Sequence, residues 1–296
     1  MGADLERKQW IKGREHVDFS RTKTIFIITF FVLNLFLGYQ LYQKQSNNQF
    51  EYISESSVKI EDQLKDAGIT YPELPEVPKQ LSHVIGETYT FSKDEISQIE
   101  SDELDVTVSE DYKKVFANFH EPKTLIGSEE AAKSIVTSHG LFAEEYVYSK
   151  TLSKKGKEFV FIQTYDGRPV FQKEDSENGQ VVVKIEDGNV VGFSQTYLKM
   201  SEEGKEQEIL TAIKAINQLY NKNKLEKQDS ITAIELGYYS LIEGKVQVLA
   251  PTWFIEVNNE RHYYVNAING LIDDPNVMTN IEIIEEGEQK SNDVEI

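Results

Sequence analysis

The stretch TIFIITFFVLNLFLGYQLYQ, residues 24–43, carries no charged side chain and decides how the rest of the chain is organised. As an α-helix, a segment of this length extends for about 30 Å, which is the thickness of the hydrocarbon core of a bilayer. A cleavable signal peptide has a shorter apolar region that ends in small residues, whereas this segment ends in bulky ones, including Tyr39 and Tyr42. The sequence therefore predicts an uncleaved transmembrane anchor.

Basic residues lie mainly on one side of this segment. On its N-terminal side they are Arg7, Lys8, Lys12, Arg14, Arg21 and Lys23. On the other side, only Lys44 occurs before Lys59. Cytoplasmic flanks of membrane helices carry an excess of Lys and Arg. We therefore expect a single-pass protein of the cytoplasmic membrane, with residues 1–23 in the cytoplasm and residues 44–296 outside.

One face of the predicted helix carries a polar and a small residue. Phe31, Asn34, Gly38 and Leu41 are spaced by three or four positions, so they share a face. An Asn in a bilayer seeks a hydrogen-bond partner, and a Gly lets a second backbone approach closely. The pattern indicates a face for contact with a partner helix. The alternative interpretation is a tolerated Asn beside an incidental Gly.

Composition limits the classes of function. The chain has 31 basic and 50 acidic residues and a net charge of -19, and a surface this acidic repels the phosphates of nucleic acids. The chain contains no cysteine, which excludes disulfides, thiol nucleophiles and cysteine-ligated metals. We therefore expect the membrane and other proteins, and not nucleic acid, as partners.

Catalytic patterns are also missing from the sequence. None of the histidines forms an H-x-x-x-H pair, and no G-x-S-x-G elbow, Walker loop or dinucleotide fingerprint occurs. The acidic run at residues 174–177 lacks the ligand alternation of an EF-hand loop and is interpreted as a solvated hairpin tip. We expect no enzymatic activity, no metal and no cofactor. The histidines are His16, His83, His120, His139 and His262.

The outer part alternates between a helix and a set of strands. A helix at residues 128–140 precedes one set, and an amphipathic helix at residues 206–220 precedes another. The pattern predicts an α+β fold of two related extracytoplasmic domains, each a helix plus an antiparallel sheet. The predicted strands are 145–152, 158–165, 168–173, 180–186 and 190–198 in the first unit, and 231–242, 246–256, 260–266 and 271–272 in the second.

Glycine pairs between these strands predict how they connect. Glycine accepts a positive φ, so Asp-Gly and Asn-Gly pairs between two strands favour a tight hairpin. Such pairs occur four times, as Asp166-Gly167, Asn178-Gly179, Asp187-Gly188 and Asn269-Gly270.

These elements divide the chain into segments. Residues 43–50 are polar and indicate a stalk, residues 56–67 have helical spacing, and three prolines within residues 71–78 disfavour regular structure. The polar, acidic C-terminus is typical of a disordered tail. The predicted segments are a cytoplasmic N-terminus at 1–23, the anchor at 24–43, a stalk and first outer part at 44–122, a first α+β unit at 123–200, a second at 201–284 and the tail at 285–296.

Two stretches resemble a known family. Residues 18–40, DFSRTKTIFIITFFVLNLFLGYQ, closely resemble the N-terminus of the YycI (WalI) members of the YycH/YycI family, and ITYPELP at residues 69–75 matches as well. The resemblance covers residues 18–285. It implies two related α+β domains, no catalytic activity, a sister protein, YycH, and action on the sensor kinase WalK of the Gram-positive WalK/WalR two-component system. It maps the anchor at residues 24–41, and no functional side chain carries over.

Two further features bear on this resemblance. Family members begin at the Asp-x-Ser-Arg-Thr-Lys stretch, so we expect translation to start at Val17, read from a GTG codon, and residues 1–16 to be absent from the native protein. The closing pattern APTWFIEV…RHYYVNAINGLI, residues 250–272, is similar to the end of a PepSY unit, a type of binding or inhibitory module. The second unit is therefore expected to be PepSY-like.

The resemblance implies a membrane-anchored accessory regulator of an essential sensor histidine kinase that controls cell-wall metabolism. Its transmembrane face would contact WalK, and aromatic side chains of the last strands would form an outer interface with YycH. In the alternative interpretation, alternate aromatic residues fill the core. The alternative functions are an anchored enzyme inhibitor or enzyme acting on the wall, and a passive wall- or ion-binding module. The candidate outer residues are Tyr238, Tyr239, Tyr263 and Tyr264, with Trp253 and Phe254 beside them.

Overall fold

The computed structural model describes residues 19–46, 53–124, 129–173, 175–240 and 244–276. The chain divides into two compact units, Met1–Ile53 and Ser54–Ile296, and each is described by itself. The predictions for a start at Val17 and for a tail at residues 285–296 lie outside the described residues, as does the second half of the predicted stalk at residues 43–50. The first half of that stalk, residues 43–46, is helical and continues the N-terminal helix.

The N-terminal unit is one long helix, α1 (Phe19–Ser46), which extends beyond the predicted anchor at both ends. Its apolar part, Lys23–Gln40, has a mean hydropathy of 1.5, and none of it is buried within the structure. The hydroxyl of Thr29 donates to the carbonyl of Ile25 at 2.9 Å, so this polar group is satisfied inside the helix. A helix that is apolar on all sides and covered by nothing is suited to lipid. This helix is therefore a candidate membrane anchor.

The outer unit is an α+β structure in which thirteen strands form one sheet. Its helices are α2 (Ile53–Asp66), α3 (Lys93–Ile99), α4 (Glu129–His139) and α5 (Ala212–Asn221), with a short 3-10 turn at Ala143–Glu145. The strands up to the middle of the chain are β1 (Gln80–Thr88), β2 (Leu104–Val108), β3 (Val115–Thr124), β4 (Tyr146–Lys154), β5 (Glu158–Tyr165), β6 (Arg168–Phe171), β7 (Gln180–Glu186) and β8 (Asn189–Gln195). The remaining strands are β9 (Leu198–Glu208), β10 (Ile231–Tyr239), β11 (Val246–Val257), β12 (Arg261–Asn266) and β13 (Ile272–Asp273).

The sheet joins an early and a late group of strands at one place. Its order is β13-β12-β11-β10-β6-β5-β7-β8-β3-β2, with β4 beside β5 and β1 between β11 and β9. All pairings are antiparallel except that of β6 with β10, where Val170 faces Tyr238 and Phe171 faces Tyr239. The predicted α+β class with a largely antiparallel sheet is confirmed. The division into two related domains and the PepSY-like character of the second stay predictions.

Two helix-covered cores lie along this sheet. In the first, α2 and α5 pack on β10, β11 and β12, and Leu64, Ile216, Leu219, Trp253 and Ile255 are fully buried there. Helix α5 buries Ile213, Ile216 and Leu219 on one face, which agrees with the amphipathic character predicted for the helix at residues 206–220. Burying each such side chain contributes about 1.5–3 kcal/mol, so this stripe holds the helix on the sheet.

The second core lies under α3 and α4, which cover strands β3, β7 and β8. Val115, Ala132, Val183 and Phe193 are buried in it. Helix α3 begins with a capping box, in which the Ser92 hydroxyl accepts from the Glu95 N–H and the Glu95 carboxylate accepts from the Ser92 N–H. This Ser-x-x-Glu signal is local, but the sequence-based prediction assigns no helix or strand to residues 79–122. It therefore misses β1, α3, β2 and β3.

Several predicted element boundaries are wrong. The helix predicted at residues 206–220 begins only at Ala212, because residues 206–208 continue β9, where Glu208 pairs with Gln80 and Gln207 pairs with Leu81. The strand predicted at residues 190–198 ends at Gln195, because the Thr196 hydroxyl turns to bind the carbonyl of Glu177. Periodicity alone did not show either interruption.

The glycine pairs divide into three correct predictions and one error. Asp166-Gly167 and Asp187-Gly188 have positive φ at both residues and join antiparallel neighbours, and Asn269-Gly270 joins β12 to β13. Asn178-Gly179 is not a hairpin, because β6 and β7 both pair with β5 and not with each other. The described part of the acidic run, residues 175–177, therefore lies in the connection from β6 to β7, in which Ser176 is buried, and not at a hairpin tip.

Candidate interaction surfaces

Three residues of the predicted contact face lie together on α1, and their contact with a partner helix stays a prediction. Phe31 and Asn34 are exposed and lie side by side, and Gly38 has open space where a side chain would be. Within the described residues, the Asn34 amide makes no hydrogen bond. Leu41 lies in the same helix, but its side chain is outside the described part. We call Phe31, Asn34 and Gly38 the anchor face.

The aromatic residues of the last strands divide between the two faces of the sheet. Trp253 and Tyr263 lie on the α5 side, where the Trp253 indole donates to the Leu210 carbonyl at 2.8 Å and the Tyr263 hydroxyl donates to the Lys224 carbonyl at 3.2 Å. Both rings are buried. Their role in the chain is to fix α5 and its following loop on the sheet.

Tyr238 is buried at the junction of the early and late strands. It packs with Val84, Val170 and Leu249, and its ring meets the ring of Tyr165 edge-on at 5.8 Å. Burial raises the pKa of its hydroxyl. This tyrosine lies inside the outer unit, where its packing stabilises the parallel contact between β6 and β10.

Tyr239 and Tyr264 lie on the sheet face opposite α5. Their rings stack at 4.2 Å with an angle of 7°, and the Tyr239 hydroxyl donates to Asp273 Oδ2 at 2.6 Å. Both side chains are buried to within a few per cent of their surface. The rings form a rigid wall beside the two concave features described below. The predicted contact of the four tyrosines with a partner stays a prediction.

The first concave feature is an apolar groove of 490 Å³ beside β11, here called the β11 groove. Val246, Val248 and Leu271 line it and are 57%, 56% and 63% exposed. Apolar side chains exposed together in this way mark an interaction surface more often than isolated ones do. Sequence reasoning missed these residues, because Val246 and Val248 follow the alternation of an ordinary strand. The other lining residues are His83, Tyr239, Ser240, Ala250, Thr252, Tyr264, Asn266, Asn269, Ile272 and Asp273.

The second concave feature is a cleft of 270 Å³ between β4 and the strands β10 and β11, here called the β4 cleft. Lys150 of β4 forms an ion pair with Glu256 of β11 at 3.2 Å across its mouth, and Glu256 also accepts from the Thr232 hydroxyl at 2.8 Å. Glu235 lies at the exposed mouth, where the cleft walls still desolvate its carboxylate and raise its pKa. Sequence reasoning did not single out any of these residues.

The histidines occupy structural positions. The His120 ring lies 3.1 Å from the Asp102 carbonyl, His139 contacts the Phe119 ring, and His262 contacts the rings of Phe254 and Tyr264. His83 lines the β11 groove. In the part of the chain that the structure describes, no group of three His, Asp or Glu side chains is placed to hold a metal ion. His16 lies outside that part.

The chain has one apolar helix suited to a membrane, and an α+β unit with a largely antiparallel sheet follows it. These two features define the class of a candidate membrane-anchored α+β protein. Residues 47–268 match the model of a family described as YycI protein. The match spans most of the chain, and the chain belongs to the YycI family. This family is membrane-associated, and it is regulatory and not enzymatic. The recognition of the chain as a YycI-family member is therefore confirmed, and the matched range includes the ITYPELP stretch at residues 69–75 but begins after residues 18–40.

A solved structure, the crystal structure of YycH from Bacillus subtilis, is similar to this chain with a TM-score of 0.38 and 14% sequence identity. The similarity covers 63% of this chain and 52% of the YycH chain, so this chain spans about half the length of that relative. Comparison with curated proteins finds no match. The family assignment rests on the matched family model, because a likeness this distant carries no argument about fold or partner.

Proposed function

We propose that this protein is a membrane-anchored accessory regulator of the sensor histidine kinase WalK, which controls cell-wall metabolism. In this proposal α1 spans the cytoplasmic membrane with its N-terminus inside, and the unit from Ser54 onward lies outside. The observation that carries the proposal is membership of a regulatory, membrane-associated family. The exposed apolar helix α1 supports it.

The anchor face supports a contact inside the bilayer. Lipid offers no hydrogen bond to the Asn34 amide, so a polar group on a partner helix would stabilise the contact by about 0.5–2 kcal/mol. The open space at Gly38 permits the partner backbone to approach closely. If the kinase helices pack differently in the active and inactive states, such a contact shifts the equilibrium between them by the difference in its strength.

The β11 groove supports a second contact, outside the membrane, with the sister protein YycH. Val246, Val248 and Leu271 expose apolar surface that a partner would remove from water. The stacked pair of Tyr239 and Tyr264 keeps one wall of the groove rigid, so little conformational entropy is lost on binding. We therefore propose that the outer interface lies at the groove, with Tyr239 and Tyr264 as one of its walls.

The test is co-purification of the tagged full-length chain with WalK from mild detergent. The variant Asn34→Leu/Gly38→Leu removes the polar group and the open space of the anchor face. Its matched control is Thr29→Leu/Phe36→Leu, which makes two similar changes on the opposite side of α1.

We expect the wild type and the control to retain the kinase and the anchor-face variant to lose it. Retention of WalK by all three chains would place the contact elsewhere on the molecule. Failure of the wild-type chain to retain WalK would overturn the regulatory proposal.

A further inference from the structure

We propose that the β4 cleft is a binding site for an extended peptide strand that carries a Lys or Arg side chain. The proposal concerns a site separate from the anchor face and the β11 groove, and it does not depend on the proposed action on WalK. It rests on four features: open strand edges, the lack of pairing between β4 and β10, unbalanced negative charge and a buried amide without a partner.

Two open strand edges border the cleft. In the described residues, β4 pairs only with β5, and β10 pairs with β6 only at Tyr238 and Tyr239. One edge of β4 and the 232–236 part of one edge of β10 therefore lack a neighbouring strand. Open edges present unpaired N–H and C=O groups, which an added strand satisfies in the manner of β-augmentation.

A wide bulge shapes the β4 side of the cleft. The pairing of β4 with β5 is interrupted between Ser149 and Lys154, while β5 advances only from Glu158 to Val160. The Ser153 hydroxyl closes the bulge by accepting from the Val160 N–H at 2.9 Å. Bulges of this kind redirect side chains and end regular pairing, often at functional sites. Here the bulge turns Lys150 toward β11.

The Lys150–Glu256 ion pair ties β4 to β11, with Nζ and the carboxylate 3.2 Å apart. In the described residues β4 and β10 are not paired with each other, so their backbones lie farther apart than the spacing of paired strands, about 4.8 Å. The open edge of β4 therefore faces the cleft without a neighbouring strand.

The charge of the cleft favours a cationic side chain. Glu235 and Glu256 line it, and Lys150 is the one basic residue among the lining residues. Lys150 is already paired with Glu256, whereas Glu235 has no hydrogen bond or ion pair within the described residues. A Lys or Arg side chain from a ligand would neutralise Glu235 at the mouth. Neighbouring apolar side chains would meet Ile162, Phe171 and Phe254 deeper in the cleft.

A buried amide at the inner end of the cleft lacks a partner. Gln172 lines the cleft, is 5% exposed and has no acceptor for its Nε2 group. Its Oε1 accepts from the Ser176 hydroxyl at 3.1 Å. Whichever way the amide is turned, only one end can use Ser176, so the other end needs a ligand group. A peptide backbone offers both a carbonyl and an N–H for this purpose.

The test uses the full-length chain in nanodiscs of zwitterionic lipid, with a fluorescein-labelled Thr-Val-Lys-Val-Thr amide as the probe and anisotropy as the readout. We expect saturable binding that empty nanodiscs do not show. Glu235→Gln should weaken binding by about tenfold, and Glu235→Lys should abolish it, because the ligand cation then meets a neutral group or a like charge. The matched control is Glu206→Lys on the exposed part of β9, which should bind as the wild type does.

Two further probes separate a strand from a simple cation. Replacing the probe lysine by Glu should remove binding, and methylating the probe's backbone amides should also remove it, because strand pairing needs those N–H groups. Hydrogen exchange should slow in residues 146–152 and 232–236 when the probe binds. Equal binding of the methylated probe, or slowed exchange only around the β11 groove, would overturn the proposal. The melting temperature of each variant shows whether it is folded, and Glu235→Gln preserves the side-chain shape if Glu235→Lys does not fold.

Discussion

At the scale of single residues, polar side chains in this protein serve two purposes. Asp229 is buried and bonded on all sides: it accepts from the Glu226 N–H at 2.8 Å, from Arg261 at 2.7 Å and from Asn258 at 2.7 Å. Asn34, Glu235 and Gln172 differ, because each has a polar end without a partner in the described residues. Satisfied groups stabilise the fold, whereas unsatisfied groups at a surface or cleft are available to a ligand.

Asp229 leads to a prediction about acid stability. Burial alone would raise its pKa, but the hydrogen bonds from Glu226, Arg261 and Asn258 outweigh burial, and the pKa lies below its usual 3.8. The carboxylate therefore stabilises the folded state above about pH 4, and this contribution disappears as the pH falls through the lowered pKa. We expect Asp229→Asn to lower the free energy of unfolding by about 1–3 kcal/mol at pH 7.

Urea unfolding of the full-length chain at pH 7, 5 and 3 measures this effect. The difference between wild type and Asp229→Asn should shrink at pH 3, and the exposed control Asp105→Asn should show little difference at any pH. A constant difference across the pH range would mean that the charge of Asp229 does not contribute.

At the scale of elements, one long strand carries both surfaces of the outer unit. Side chains of β11 alternate, so Trp253 and Ile255 enter the core under α5 while Val246, Val248 and Phe254 lie on the other face. The early half of β11 pairs with β1, and the later half pairs with β10 and β12. The β11 groove lies beside this change of neighbours, where apolar side chains remain uncovered.

The groove leads to a prediction that separates binding from folding. Val248→Asp places a charge on a side chain that is already 56% exposed, so the stability should change by less than about 0.5 kcal/mol. If YycH docks at the groove, its affinity should fall by about tenfold or more, because the charge must be desolvated on binding. Titration of YycH against the full-length chain measures the affinity, and thermal unfolding measures the stability.

Thr107→Asp is the matched control for this experiment, since it places the same charge at an exposed β-branched residue of β2, outside both the groove and the β4 cleft. YycH should bind the control normally. An unchanged affinity for Val248→Asp would remove the groove from the interface.

At the scale of the whole outer unit, a close contact joins the early and late strands. Gly237 of β10 lies against β6, and a Cβ at this position would overlap with the Pro169 carbonyl oxygen and the Phe171 ring. The neighbouring pairs Val170–Tyr238 and Phe171–Tyr239 form the parallel pairing between the two groups of strands. The two helix-covered cores are therefore coupled through one continuous sheet.

The Gly237 contact leads to a prediction about cooperativity. Gly237→Ala forces the backbone of β6 away from β10, and we expect a loss of about 2–4 kcal/mol in the free energy of unfolding. The wild-type outer unit should unfold in one transition, whereas the variant should separate into two as the coupling weakens. Differential scanning calorimetry of the full-length chain shows both effects. Gly244→Ala, where the nearest atom lies at 3.4 Å, is the control and should leave the transition unchanged.

Much of the local structure could be predicted from the residues. The strands Glu158–Tyr165 and Gln180–Glu186 have the bounds predicted from alternation, and the Asp166-Gly167 and Asp187-Gly188 turns were recognised from glycine at positions of positive φ. The Ser92–Glu95 capping box is an equally local signal, although the prediction from the sequence does not include it. The anchor face was identified in outline, because helical spacing alone places Phe31, Asn34 and Gly38 together.

The outer surfaces could not be predicted in the same way. Alternation indicates that neighbouring tyrosines point to opposite faces, but it does not say which face is covered. The β4 cleft depends on Lys150 and Glu256, which are 106 positions apart, and on a bulge that no local pattern indicates. The β11 groove depends on the point along β11 where its neighbours change from β1 to β10 and β12.

The sequence by itself determined the candidate anchor helix, three of the four predicted hairpin turns and the family, because each depends on residues close together in the chain or on the length that a bilayer requires. Only the tertiary structure decided which tyrosines are enclosed, that both groups of strands share one sheet, and where the groove and cleft lie. The physical reason is that burial and strand pairing are set by contacts between distant segments, and each such contact depends on all the others being formed.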